Sequence, residues 1–116
     1  MQQRREHVRR LLQVEASIAD EAGLRSWHVQ VIDISRMGVA FVSTEQLATD
    51  VSYVFSFCFP GSAARNDVVT TIVHSTPVGS EGRFRNGARF IHIAEECVER
   101  IVDYVTSDGS KRDSLT

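Results

Sequence analysis

Cysteine is scarce in this chain of 116 residues, which contains only Cys58 and Cys97. The two lie far apart and neither belongs to a C-x-x-C pair, which argues against a zinc site or a disulfide framework. Cysteines of this kind usually act as small buried hydrophobic side chains in a reducing compartment. We therefore expect a cytoplasmic protein.

Long apolar runs are also missing. No window approaches the roughly 20 apolar residues that a membrane span needs. Gln13, Glu15 and Asp20 interrupt the apolar stretch that would have to follow the basic N-terminus in a signal peptide. The length and the 42% hydrophobic content suit one soluble domain with a real core. We expect no membrane insertion.

The patterns that carry catalysis or bind metals are lacking as well. The histidines show no metal-ligand spacing; they are His7, His28, His74 and His92. The chain has no phosphate-binding P-loop, no convincing nucleophile and base, and no carboxylate pair with an obvious acid–base task. We expect no enzymatic activity, no metal and no cofactor.

Lysine is almost absent. The chain contains a single lysine, Lys111, and twelve arginines. Four arginines fall within "RREHVRR", residues 4–10, although the formal net charge of the chain is -2. The planar guanidinium suits bidentate contacts with phosphates and guanine edges. A solvated basic face is the alternative, and the spacing Arg5-x-x-x-Arg9 recurs at Arg85 and Arg89. The spacing alone therefore decides nothing.

Hydrophobic periodicity predicts six short strands and then a helix. The strands are "LLQVEASIA" (11–19), "WHVQVIDIS" (27–35), "VAFVS" (39–43), "VSYVFSFCF" (51–59), "VVTTIVHST" (68–76) and "GARFIHI" (87–93). Helical spacing follows at Cys97, Val98, Ile101, Val102 and Val105. Tight connections favour an antiparallel sheet or small barrel, with the helix over an open edge or mouth. We expect the glycine-rich segment 78–86 to be a mobile hairpin tip.

These elements suggest boundaries within the single domain. Residues 1–10 are expected to form a flexible basic arm, residues 11–105 the β-barrel with its C-terminal helix, and residues 106–116 a disordered polar tail.

A second polar motif, "DISRMG" at residues 33–38, lies between two predicted strands. In a plain turn, Asp33 and Ser35 would bond to nearby backbone and Gly38 would supply a positive φ. In a binding site, the Asp33 carboxylate could accept hydrogen bonds from guanine N1–H and N2–H, the Ser35 hydroxyl could add a contact, and Gly38 would let the backbone approach closely.

Taken together, the two motifs resemble the PilZ domain family, which carries R-x-x-x-R and then [D/N]-x-S-x-x-G. The matching residues are Arg5, Arg9, Asp33, Ser35 and Gly38. The closing segment "NGARFIHIAEECVERIVDYV" is similar too, with Gly87 and Phe90 in the family's positions. The resemblance covers residues 4 to about 105. It implies a mainly β fold, a six-stranded antiparallel β-barrel with a C-terminal α-helix.

The resemblance also implies a ligand, the bacterial second messenger cyclic di-GMP. By analogy Arg5 and Arg9 hold phosphates and the Hoogsteen edge of guanine, Asp33 and Ser35 hold the other guanine edge, and Gly38 permits the turn. Arg4, just before the motif, is compatible with binding of a stacked nucleotide pair. Weaker candidate contacts are Arg10, Arg36, His74 and Gly87.

Three functions remain open at this point. The first is a bacterial cyclic di-GMP receptor, monomeric or homodimeric, that changes conformation and signals to an unidentified effector protein. The second is an interaction module of the same fold that acts without nucleotide. The third is a small barrel that binds nucleic acid. It is disfavoured because the net charge is negative and the phenylalanines of "YVFSFCF" alternate inward as a core stripe.

Overall fold

A computed structural model describes the backbone of residues 8–115 and the side chains of residues 8–107. It contains seven strands and one helix. They are β1 (Arg9–Leu11), β2 (Glu15–Asp20), β3 (Ser26–Ser35), β4 (Gly38–Ser43), β5 (Ser52–Phe57), β6 (Asn66–Val78), β7 (Arg83–His92) and α1 (Glu95–Leu115).

Six of the strands close into a barrel. The order β3-β2-β5-β6-β7-β4 returns to β3 through the pairing of β3 with β4, and every pairing is antiparallel. The short β1 adds to β3 as an extra strand, with Arg9 opposite Ser35 and Leu11 opposite Asp33. The structure therefore confirms the six-stranded antiparallel barrel followed by a C-terminal helix.

The first predicted strand, 11–19, is divided into β1 and β2. Both parts pair with β3, and single bonds continue the ladder between them: Leu12 N–H donates to the Ile32 carbonyl and Val31 N–H to the Val14 carbonyl, both at 2.9 Å. Arg9 and Arg10 belong to β1. The sequence predicts a flexible arm up to residue 10, whereas the structure places the last two residues of this arm in a strand.

The aromatic stripe of β5 fills the barrel. Tyr53, Phe55 and Phe57 are buried, and the Phe55 ring lies 5.7 Å from Phe41 and 5.3 Å from Phe57 between centroids. Packing of such rings accounts for much of a core's hydrophobic stabilisation. The predicted inward alternation is confirmed, so these rings cannot serve as an outer platform for stacked bases.

Helix α1 packs against β1 and β3 through a buried face of Cys97, Ile101 and Val105. The Tyr104 ring extends this contact to Phe59, 5.0 Å away between centroids. Burial also raises the pKa of the Cys97 thiol, whereas Cys58, expected to be buried, is only partly so.

The secondary structure extends further than predicted at two places. Helix α1 continues to Leu115, beyond the boundary expected at residue 105, while disorder over 106–116 stays a prediction. Strands β6 and β7 extend into the segment 78–86, so the loop that connects them is shortened to residues 79–82. Gly79 and Gly82 have φ of 66° and 74° there, a conformation that favours glycine. Pairing with a partner strand thus orders residues whose composition predicts a loop.

Candidate functional site

A β-bulge sets the direction of the Asp33 side chain. Before it, Val29 and Val31 of β3 are buried in the barrel, and strict alternation would turn Asp33 inward as well. The pairing of β3 with β4 shifts register between Val31 and Asp33. Such a shift reverses which face a residue occupies. The Asp33 carboxylate consequently reaches the surface, with its side chain 19% exposed.

Arg9 and Asp33 meet across the pairing of β1 with β3. Arg9 Nε donates to Asp33 Oδ1 at 3.1 Å, and Arg9 Nη2 donates to the same oxygen at 2.8 Å. No described residue donates to Asp33 Oδ2. The structure thus brings together one residue from each of the two motifs that the sequence singled out.

The turn after Asp33 is stabilised by Ser35. This side chain is 1% exposed, and its hydroxyl oxygen accepts a hydrogen bond from Met37 N–H at 3.2 Å. Arg36 is exposed at the tip of the turn, and no described residue bonds to its side chain. Ser35 therefore has a structural task in the turn, while direct ligand contacts by Ser35 and Arg36 remain predictions.

Of the two roles expected for Gly38, a positive φ and close approach of the backbone, only the second is found. The glycines with positive φ are Gly23, Gly61, Gly79 and Gly82, so the prediction of a positive φ at Gly38 is wrong. A Cβ at Gly38 would lie 2.2 Å from the Ala88 carbonyl oxygen of β7. Close backbone approach is thus the correct explanation, and the neighbour is a strand of the barrel.

His74 and Gly87 face each other on β6 and β7. A Cβ on Gly87 would lie 2.5 Å from His74 Nε2, so the glycine leaves space that the imidazole occupies. The two residues line an open groove of about 280 Å³ that also contains Arg9 and Gly38. The other lining residues are Met37, Val39, Val73, Ala88 and Arg89. Arg9, Gly38, His74 and Gly87, all predicted contacts, therefore converge on one surface.

Sequence reasoning missed three exposed residues of this groove, Met37, Val73 and Arg89. Met37 and Val73 are apolar yet 45% and 57% exposed. Arg89 belongs to the second R-x-x-x-R spacing, which carried no information by itself. Only the register of β4 against β7, which sets Arg89 opposite Gly38, brings it beside the motif.

Arg10 points away from the groove and onto α1. Its Nη1 donates to the Tyr104 carbonyl at 3.0 Å, and its Cζ lies 4.0 Å from the centroid of the Tyr104 ring. Tyr104 in turn donates its hydroxyl to the Leu11 carbonyl at 2.6 Å. Successive side chains of a strand point to opposite faces, so Arg10 lies on the face opposite Arg9, and a ligand contact by Arg10 stays a prediction. Arg4 and Arg5 lie outside the described residues.

A larger cavity, of about 590 Å³, lies elsewhere, between α1 and the segment after β5. Its charged groups are Arg100 and Asp103, and Arg100 Nη1 already donates to Asn66 Oδ1 at 2.7 Å. None of the motif residues lines it. Size alone therefore does not make it the better candidate.

Other kinds of site find no support within the part of the chain that the structure describes. Over residues 8–107, no three His, Cys, Asp or Glu side chains are grouped so that they could hold a metal ion. Among the described elements, no helix combines the length and apolar character that crossing a bilayer requires.

Comparison with known proteins points to one family. The profile of the PilZ domain matches residues 3–107. No protein of curated function matches the chain by sequence.

Solved structures share the fold at low sequence identity. The inhibitor of motility MotI/DgrA of Bacillus subtilis superposes with a TM-score of 0.78 at 16% identity, over 94% of this chain and 53% of that one. The PilZ domain of Escherichia coli YcgR with cyclic di-GMP gives 0.65 at 12%, over 97% and 98%. The cyclic di-GMP complex of K. pneumonia MrkH gives 0.66 at 17%, over 94% and 56%. The chain thus spans about half the length of MotI/DgrA and MrkH.

Proposed function

Because the chain belongs to the PilZ domain family, we propose that it is a receptor for cyclic di-GMP without catalytic activity. The observation that carries the proposal is the contact of Arg9 with Asp33 at the edge of the groove. It joins the two halves of a guanylate-binding motif, and the YcgR and MrkH structures, which share the fold, contain this nucleotide.

The groups at the site match the chemistry of a guanylate. Guanine offers O6 and N7 as acceptors to an arginine fork, and N1–H and N2–H as donors to a carboxylate. Asp33 Oδ2 has no donor among the described residues and can accept from guanine. The side chains of Arg9 and Asp33 are 42% and 19% exposed. An ion pair of such exposure contributes only about 0–1 kcal/mol. Arg9 can therefore turn from Asp33 toward the ligand at little cost.

The residues before β1 supply further charge in this proposal. Arg5 lies four positions before Arg9 and is assigned to a phosphate or a Hoogsteen edge. Arg4 adds a second planar cation, which favours a stacked pair of nucleotides over a single one. Both assignments rest on the family pattern.

The same short strand provides a route for the signal. Arg9 of β1 faces the groove, while Arg10 and the Leu11 carbonyl contact Tyr104 of α1. A ligand that repositions Arg9 also shifts the strand that holds Tyr104. We therefore assign α1 as the element that reports binding to an effector protein in the bacterial cytoplasm.

Isothermal titration calorimetry tests the receptor assignment. The chain at tens of micromolar is titrated with cyclic di-GMP and, as a specificity control, with cyclic di-AMP. Arg9→Ala is expected to weaken binding at least tenfold, as loss of an arginine anchor that a ligand covers often does. Arg25→Ala is the matched control, because Arg25 also forms an exposed ion pair, with Glu45 at 3.0 Å.

The same titration separates the alternatives. Absence of heat with cyclic di-GMP would refute the receptor. Equal binding of both cyclic dinucleotides would refute guanine recognition. The molar ratio at saturation distinguishes one nucleotide from a stacked pair. A partner protein captured equally well with and without nucleotide, and by Asp33→Ala, would favour the nucleotide-independent interaction module.

A further inference from the structure

We propose that Arg89 is a third binding arginine of the groove and contacts the half of cyclic di-GMP that Arg9 and Asp33 do not hold. The inference rests on the proposed function and assigns a role to a residue outside both sequence motifs. Four observations support it: the register of β7, the charge of the groove, the absence of a competing partner for Arg89 among the described residues, and the exposed apolar surface beside it.

Backbone pairing fixes Arg89 next to the Asp33–Gly38 turn. Arg89 is opposite Gly38 of β4 on one side and opposite Thr71 of β6 on the other. The backbones are so close that a Cβ on Gly38 would lie 3.4 Å from the Arg89 Cα. A residue held between two paired strands has little backbone freedom, so its side chain starts from a fixed point beside the motif.

The groove has an excess of positive charge. Its charged lining residues are Arg9 and Arg89, with the titratable His74, and no described lining residue is acidic. The Asp33 carboxylate bonds to Arg9, one of these lining residues. The charge of Arg89 is therefore not balanced by a described lining residue, and an anion such as a phosphodiester would balance it.

The side chain of Arg89, unlike its backbone, makes no hydrogen bond or ion pair within the described barrel. Its side chain is exposed, and no described residue forms a hydrogen bond or an ion pair with it. Arg10 and Arg100, by contrast, donate to Tyr104 and Asn66. Arg89 can thus bind a ligand without giving up a contact within the described fold.

Apolar surface beside Arg89 suits the flat face of a base. Met37 and Val73 line the same groove and are 45% and 57% exposed. A guanine lying on these side chains would cover apolar area, while the guanidinium of Arg89 reaches its O6 and N7 or the adjoining phosphate. The chemistry is that of a second guanylate.

Arg85 provides a matched control on the same strand. It lies four residues before Arg89, is exposed on the same face of β7, and is paired with Val42 and Thr76 instead of Gly38 and Thr71. It does not line the groove. Arg85→Ala and Arg89→Ala therefore remove the same charge from the same surface, and only the second removes it from the proposed site.

The experiment compares the dissociation constant of cyclic di-GMP for the wild type, Arg89→Ala, Arg89→Lys and Arg85→Ala at low and high salt. We expect Arg89→Ala to weaken binding at least about tenfold and Arg85→Ala less than about twofold. Arg89→Lys should recover only part of the loss, since it keeps the charge but not the fork. If the two alanine variants weaken binding equally and the effect vanishes at high salt, Arg89 acts only through long-range electrostatic attraction. That result would overturn the proposal.

A direct readout is independent of the variants' folding. In the wild type, the side-chain Nε–H resonance of Arg89 should shift on titration with cyclic di-GMP while that of Arg85 stays in place. An unmoved Arg89 resonance in a saturated complex contradicts the contact. If the wild type shows no binding at all, the receptor assignment has failed. If it binds and Arg9→Ala abolishes binding while Arg89→Ala does not, only this inference has failed.

Discussion

Arg9 Nε and Nη2 donate to the same oxygen of Asp33, at 3.1 and 2.8 Å, although the two residues are 24 positions apart in the chain. The backbone pairing of β1 with β3 places the two side chains together, so this ladder assembles one half of the candidate site. Preorganisation of this kind lowers the entropy cost of binding. The contribution of Asp33 to ligand binding can therefore be measured separately from its contribution to the stability of the fold.

Asp33→Ala should abolish most of the affinity for cyclic di-GMP and leave the fold intact. The variant removes the acceptors for guanine N1–H and N2–H, and a loss of about 2 kcal/mol or more is expected for such an anchor. Since the contact with Arg9 is partly exposed, the free energy of unfolding should fall by no more than about 1 kcal/mol. Calorimetric titration and urea denaturation measure the two effects, and a loss of stability as large as the loss of affinity would argue against the assignment.

Gly38→Ala should destabilise the barrel strongly, whereas Gly87→Ala should do so mildly. A Cβ at Gly38 meets the Ala88 carbonyl at 2.2 Å, and both groups belong to paired strands that cannot separate. A Cβ at Gly87 meets the His74 ring, which can rotate away. We expect a loss of about 3 kcal/mol or more at Gly38 and less than half of that at Gly87. Thermal unfolding of both variants checks the order, and similar melting temperatures would disprove the steric explanation.

Tyr104→Phe should weaken the coupling of the ligand site to α1 without affecting binding. The change removes the hydroxyl that donates to the Leu11 carbonyl at 2.6 Å and keeps the ring that packs on Arg10. The cost in stability should be about 1 kcal/mol. Hydrogen–deuterium exchange of α1 should respond to cyclic di-GMP in the wild type and respond less in the variant.

Arg100→Ala is the control for this coupling. Arg100 also lies on α1, but its described hydrogen bond goes to Asn66 Oδ1 of β6 and not to β1. Its variant should therefore respond to the nucleotide as the wild type does. If α1 of Tyr104→Phe responds to the nucleotide as fully as in the wild type, the coupling does not depend on this hydroxyl.

A cluster of polar side chains on the outer face of β5 and β6 should make the free energy of unfolding depend on pH in the acidic range. Hydrogen bonds from Ser56 and then from Arg65 lower the pKa of Asp67 below its ordinary value of 3.8. A lowered pKa in the folded state contributes stability above the unfolded pKa and loses it as the pH falls through the folded pKa. The melting temperatures of the wild type and Ser56→Ala should differ slightly at pH 7, because Asp67 is about half exposed, and should converge as the pH falls below 3.8 and through the lowered pKa of Asp67. A difference that stays constant while Asp67 becomes protonated would contradict this origin.

The sequence predicted the elements whose own pattern determines them. The alternation of Tyr53, Phe55 and Phe57 identifies β5, and the helical spacing of Cys97, Ile101 and Val105 identifies α1. Both patterns are local, because burial of one face imposes its period on the residues that form it. The family resemblance, drawn from the same residues and from the two motifs, is confirmed over residues 3–107.

Features that depend on a partner strand could not be predicted in this way. The bulge before Asp33, the approach of Gly38 to Ala88 and the position of Arg89 all follow from pairing with β4 or β7. Periodicity within β3 would place Asp33 inside the barrel. The direction of Arg10 depends likewise on α1, more than ninety residues away in the chain. In each case the deciding neighbour is distant in sequence, and local patterns contain no information on it.

The length of β1 also has a kinetic consequence. This strand has three residues and, among the described strands, pairs with β3 alone. Opening it breaks few hydrogen bonds, so it belongs to the segments that detach most often while the closed barrel persists. Under the proposed function, a nucleotide held by Arg9 would be released when β1 opens. The residence time of the ligand, and hence the speed at which such a receptor follows a falling concentration of messenger, would then be set by this strand.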